Sequence, residues 1–496
     1  MRIIGNDPNV PRQTHEVASG AITNGKPVVV NADGTVSSVS ETSTTEALGT
    51  ESAFNALTSS FFATVFDSSN NKHIIVYRQG SNMRYVVATV ASDGGVTFGT
   101  DAVAEASDNQ KIAATFDSTN NRVVLAYRRG DDSDHGYALV GSLSGTTVTW
   151  GSPTEFNNAS SNELGISFDS TAGKVVISYR NYGNSSYGTA IVGTVSGTSI
   201  SFGTAVVFNS GTTTVTRPCY DSTNDRTVIS YGDGEDSAAK GKAVVGTVSG
   251  TGISFGSEVE FEEGAISHSG MAFDSSASKV VIAYRQNHET SGSTDFKRGT
   301  AVVGTVSGTS ISFGTPVAFD NSGDYGENTA NSVIYDSNAK KVLVVYPRTL
   351  SGSYSNRGFV FPLSVSGTTI VADTGKDFAG ATAVYPAISF DSNVNRNLIA
   401  FGDGGNSEYA TAVSYRPAFT STNITSENYI GIANSGAADT KGAIIDTQGA
   451  IADNLSGLTA GQSYYVQTNG TLGTTAGSPS VFAGTAVSAT KLIVKG

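Results

Sequence analysis

From residue 60 to 417 the chain alternates short apolar runs with polar, glycine-rich segments. HIIVYR, RVVLAYR, KVVISYR, RTVISY, KVVIAYR, KVLVVY and RNLIAF are β-branched and too short for helices, so each predicts a buried strand. Ahead of each stands FDS or YDS, at Phe66, Phe116, Phe168, Tyr220, Phe273, Tyr335 and Phe390, spaced 50, 52, 52, 53, 62 and 55 residues apart. An aromatic follows each after 11 residues: Tyr77, Tyr127, Tyr179, Tyr231, Tyr284, Tyr346 and Phe401. One unit reads ISFDSTAGKVVISYR, a loop, then GTAIVGTVSGTSISFGTAVVF, with a hairpin turn at Ser196-Gly197. Four strands in about 52 residues, repeated seven times, predict an all-β chain built around a seven-bladed β-propeller.

Let the strands of a blade be A to D from the centre outward, with FDS ending A. In most blades an outer aromatic precedes the next FDS aromatic by 12 residues, as Phe156 precedes Phe168. The last blade has no such strand after it. ALGTESAFN supplies one, because Phe54 lies 12 residues before Phe66. The expectation is a propeller over 43–417 in which the strand 43–54 closes the last blade and removes the open edges of the ring. The seven FDS aspartates read as turn formers whose carboxylates bond backbone N–H groups two residues on, rather than as a metal set.

Composition supports the strand reading: Leu occurs only 14 times in 496 residues, too rarely for a helical protein. The net charge of -13 argues against binding to phosphate backbones, so no nucleic-acid partner is expected. Cys219 is the single cysteine, which excludes a disulfide framework within the chain. The five histidines form no zinc motif, and no apolar run reaches a membrane span. No cofactor, metal site or membrane insertion is expected, nor export by an ordinary signal peptide.

No catalytic constellation stands out, so the chain is not expected to be an enzyme. Ala91-Ser92-Asp93-Gly94-Gly95-Val96-Thr97-Phe98 approaches a sialidase box, once and at a hairpin. Asp233, Glu235, Asp236 and Asp403 contain no spacing that singles out a glycosidase pair. Arg129-Gly130-Asp131 is an isolated tripeptide.

The A–B turns keep a constant length, whereas the B–C connection varies from 13 residues (Tyr77 to Val90) to 22 (Tyr284 to Val306). Binding residues concentrate on variable loops carried by a rigid scaffold, which directs attention to the face holding the B–C and D–A loops. The most basic and aromatic sector there follows Tyr284 and Tyr346. It offers Arg285, Phe296, Lys297, Arg298, Arg348 and Tyr354 as candidate ligand-binding residues in exposed loop, suited to stacking on sugars and pairing with acidic glycans. Arg78, Arg128, Arg180 and Arg285, each directly after a B-strand aromatic, form a partial ring; its alternative role is to brace the rim by pairing with loop acids.

Residues 1–42 and 418–496 lie outside the blades and share a second repeat. AITNGKPVVVNADGTV aligns without gaps with GLTAGQSYYVQTNGTL, pairing Gly25 with Gly461 and Gly34 with Gly470. Each copy predicts a small β-hairpin module, one at each terminus. MRIIGNDPNVPRQT, NGKPVVVNADGTVS and the ending TAGSPSVFAGTAVSATKLIVKG resemble segments of tail-fibre-like virion structural proteins from tailed bacteriophages of marine bacteria. The resemblance implies a virion protein, either a tail fibre or a fibre-like head decoration, assembled in the host cytoplasm. Its terminal modules would dock to other virion proteins or to sister chains in a homo-oligomer, and its propeller would meet a host-surface glycan or receptor. A glycan-degrading tail spike and a purely structural spacer are the alternatives. It supplies no catalytic residues, and no heptad pattern dictates a trimer.

Overall fold

The computed structural model describes residues 12–234, 239–288, 296–320, 332–349 and 356–495, the side chains of His288, Phe296, Lys297 and Thr349 excepted. The candidate Tyr354 and the acids Glu235 and Asp236 lie outside the described residues. The chain divides into two compact units, residues 46–417 and residues 1–45 with 418–496.

The larger unit is a β-propeller of seven antiparallel blades. In the third, strand A is the second half of Thr154–Asp169, B is Lys174–Asn181 and C is Tyr187–Ser196. Strand D comes in two pieces, Ser199–Phe202 and Val206–Asn209, both paired with C. The A strands pack side by side around the axis, and the seventh, within Lys376–Asp391, packs against the first, Ser60–Asp67, so the ring is closed. The last blade takes its D strand from the N-terminal side: Leu48 pairs with Tyr415 and Ser52 with Ala412.

Six of the seven blade joints are filled by an aromatic pair. The D-strand Phe54, Phe156, Phe208, Phe261, Phe319 and Phe378 sit against the B-strand ring of the following blade, with centroids 5.1–6.0 Å apart. This contact explains the fixed 12-residue spacing. A glycine in strand C makes room for the phenylalanine: a Cβ on Gly188 would stand 2.5 Å from the Phe208 ring. The first blade inverts the pair, with a fully buried Met83 at the glycine position and Ala104 at the phenylalanine position.

All seven FDS carboxylates cap their A–B turns. Asp67, for example, accepts from the backbone N–H of Ser69 (2.9 Å) and of Asn70 (3.0 Å). The other six repeat the bonds at 2.8–3.1 Å. These aspartates are structural, since their lone pairs are spent on the chain itself.

The smaller unit holds two five-stranded sheets of one topology. The second is continuous, its strands Ile451–Ala452, Lys491–Val494, Val481–Ser488, Ser463–Val466 and Leu472–Gly473 lying in that order. The first has the same order but is split. Gln13–Val17, Pro27–Val30 and Val36–Ser38 come from before the propeller, Tyr429–Ala433 and Gly442–Asp446 from after it. Each repeated hairpin thus forms one edge of a larger sheet, Pro27–Val30 with Val36–Ser38 and Ser463–Val466 with Leu472–Gly473. Val29, Ile432, Tyr464, Val466 and Leu492 belong to one core shared by both sheets.

Candidate functional site

Strand A of six blades breaks its ladder at the same place, five residues before the FDS aromatic. Phe61, Lys111, Glu163, Val215, His268 and Tyr385 adopt left-handed backbone with φ between 46° and 53°. The register with strand B slips at each of these bulges. A non-glycine residue held there costs roughly 1–3 kcal/mol, a strain that recurs where proteins hold ligands. Neighbouring blades brace the bulges: Thr216 Oγ1 donates to the carbonyl of Glu163 at 2.7 Å and lies 2.9 Å from Ser178 Oγ.

The bulges line an axial cavity of about 800 Å³. Its lining includes Ser60 at the start of the first A strand and Glu408 in the B–C connection of the seventh blade, so it opens on the face that carries the variable loops. The six bulge residues are chemically all different, on a scaffold whose other positions repeat. Phe61 and Tyr385 meet at a tilt of 41° with centroids 4.7 Å apart. Two residues deeper, the blades present Ala63, Ala113, Gly165, Arg217, Gly270, Ser332 and Ala387, so one arginine stands in a tier of small residues. Gly165 is required there, because a Cβ would stand 2.4 Å from Pro218 Cδ on the next blade. The Arg217 guanidinium donates to the carbonyls of Thr216 (2.7 Å) and Leu164 (3.2 Å). Burial lowers its pKa, and Glu163 opposes that shift. Cys219, two residues further, is an inert thiol whose pKa is pushed up to about 12 by burial.

The candidates read from sequence do not gather in this cavity. Arg285 was expected in exposed loop but lies within strand B of the fifth blade, only 6% exposed, because the ladder continues beyond Tyr284. Phe296, Lys297 and Arg298 were also expected in loop; they open strand C, their backbones paired with His288, Asn287 and Gln286. Arg298 is exposed and lines a separate recess of about 390 Å³ with Glu262, Glu263 and Gln286. Arg348 lies 3.4 Å from Asp320 and stacks over Phe359 at 5.0 Å.

The partial arginine ring braces the rim. Arg78 pairs with Asp108 (2.7 Å), Arg128 with Asp134 (3.3 Å), and Arg180 stacks over Tyr182 (4.5 Å). Arg129 turns back onto Asp131 at 3.3 Å, so the arginine of that tripeptide is tied to its own aspartate. Asp233 is held by Lys242 at 2.7 Å.

Arg217 and the bulge tier escaped the sequence reading, which compared repeats by loop length. Aligning the units on FDS would have found Arg217, the one long side chain among Ala, Gly and Ser.

No family model matches the chain, and no curated protein does. Among solved structures, the Dos1 propeller is 11% identical, covering 75% of this chain and 96% of its own, with a TM-score of 0.43. A triple arginine-to-alanine mutant of AofleA from Arthrobotrys oligospora is 11% identical, covering 70% and 93%, with a TM-score of 0.40. The chain's own strand pairing is what defines its blades.

Proposed function

We propose that this chain is an attachment protein of a phage particle: the propeller binds a host-surface glycan, and the terminal unit docks to other virion proteins. The observation that carries the binding reading is the axial cavity, where an otherwise repetitive scaffold gives up its symmetry on the face with variable loops. Strained, chemically diverse residues around a concavity suit a ligand site better than a spacer. The virion setting rests on the resemblance of the terminal segments. Two sheets of one topology in the terminal unit suit a docking element.

The test is adhesion of the labelled full chain to candidate marine host cells, with immunogold imaging of particles. Binding that falls at least tenfold in Lys111→Ala/Tyr385→Ala, but not in a variant altered at the opposite A–B turns (Thr119→Ala/Thr171→Ala), supports the reading. Loss only in the A–B variant, or gold absent from particles, overturns it. Release of reducing ends from host polysaccharide would favour the degrading spike instead.

A further inference from the structure

We propose that the axial cavity takes a saccharide bearing a carboxylate, with the acid on Arg217 at the floor and the sugar ring against Phe61 and Tyr385 at the mouth. This rests on the attachment reading and names the ligand class for the same site.

The ring does not need Arg217 in order to close, since six blades close with Ala, Gly or Ser at that position. Its terminal nitrogen binds two carbonyls, which fix the guanidinium without neutralising it. Among the described residues no carboxylate stands within ion-pair distance of it. A part-buried guanidinium gains most from an anion that takes two of its donors at once, and a carboxylate has that geometry. Lys111, exposed at the mouth, also has no ion-pair partner among the described residues, and adds a second attraction for a negative ligand.

The rest of the lining says what carries the acid. The aromatic pair offers an apolar ring face on which the C–H face of a sugar can stack. Glu163 and Glu408 supply acceptors for hydroxyl groups. Their charge, within a chain of net charge -13, disfavours a polyanion and admits a ligand with a single acid at its end. The volume of about 800 Å³ falls in the range of small-ligand sites and holds a short oligosaccharide end.

The experiment applies the labelled full chain to a printed array in which each oligosaccharide ending in glucuronate, galacturonate or sialate is paired with its neutral counterpart. The expected result is at least tenfold preference for some acid-terminated members. That preference should be lost in Arg217→Met and partly kept in Arg217→Lys. Thermal unfolding establishes that each variant is folded; should Arg217→Met not fold, Lys111→Ala/Tyr385→Ala at the mouth must lower acid-selective binding tenfold. Equal binding of acidic and neutral members, no binding to any acidic member, preference for sulfated or phosphorylated sugars alone, or binding untouched by the variants overturns the proposal. If host cells are bound while the acidic members are not, only this inference fails. If host cells are not bound at all, the attachment reading fails with it.

Discussion

His73 shows how one side chain sets a pH limit. It is the second residue of strand B of the first blade, fully buried, where most other blades carry Val, as at Val123 and Val175. Nδ1 lies 2.8 Å from Ser389 Oγ, and Nε2 lies 3.7 Å from Asp391, both in the seventh blade. Burial lowers its pKa; the neighbouring Asp391 works the other way without prevailing. Above the unfolded value of about 6.5 neither state is protonated, and His73 contributes nothing to pH dependence. Below it the unfolded chain takes up a proton more readily than the folded chain, so stability falls, by at most about 1.4 kcal/mol per pH unit. Asp391, its pKa lowered against the opposing effect of burial by the neighbouring His73 and by bonds from the backbone N–H groups of Val394 and Asn393, acts in a separate window below about 4. Urea denaturation at pH 7.5 and 5.5 should show a larger loss of stability in the native protein than in His73→Val, the difference being at most about 1.4 kcal/mol. Equal losses in both would place the acid sensitivity elsewhere.

At the scale of the element, the joint between strands C and D obeys a volume rule. Gly188 with Phe208 and Met83 with Ala104 fill the same space from opposite sides. Gly188→Met alone forces a side chain into the Phe208 ring and should cost about 3 kcal/mol or more. Adding Phe208→Ala should restore a large part of that loss, a coupling readable by a double-mutant cycle. A sum of single effects would refute the rule. These elements were legible in sequence because packing repeats: FDS, the aromatic after it and the outer phenylalanine each answer to one contact. The bulges were not, because left-handed backbone at Val215 or Tyr385 leaves no mark in composition. Arg285 was misplaced for a related reason: a strand can continue past its last apolar residue while its ladder partners run on, here Ser267 and Gly299.

For the whole molecule, closure depends on a short borrowed strand. Phe54 packs on Tyr77 at 5.5 Å and on Phe98 at 5.0 Å, joining the last blade to the first. Phe54→Ala should cost about 3 kcal/mol, and since the ring opens at one seam the loss should appear as earlier exchange of amides in Tyr409–Arg416. Uniform loss of protection across all blades would argue against a single seam. Ring closure followed from spacing alone. The split sheet of the terminal unit did not, because strands from the two ends carry no shared motif beyond the hairpin.

That split sheet gives the chain a clock. Val36–Ser38 leaves the ribosome long before Tyr429–Ala433, with roughly 20–80 s between them at 5–20 residues per second. Throughout that interval the first three strands wait beside a growing propeller with their ladder unfilled. The terminal unit can therefore form only on chains translated well past the last blade, so a product truncated within that blade lacks it. Limited proteolysis of nascent chains arrested at residue 425 should cut within residues 13–38 while sparing the finished blades. Arrest after residue 496, with a linker spanning the exit tunnel, should protect both.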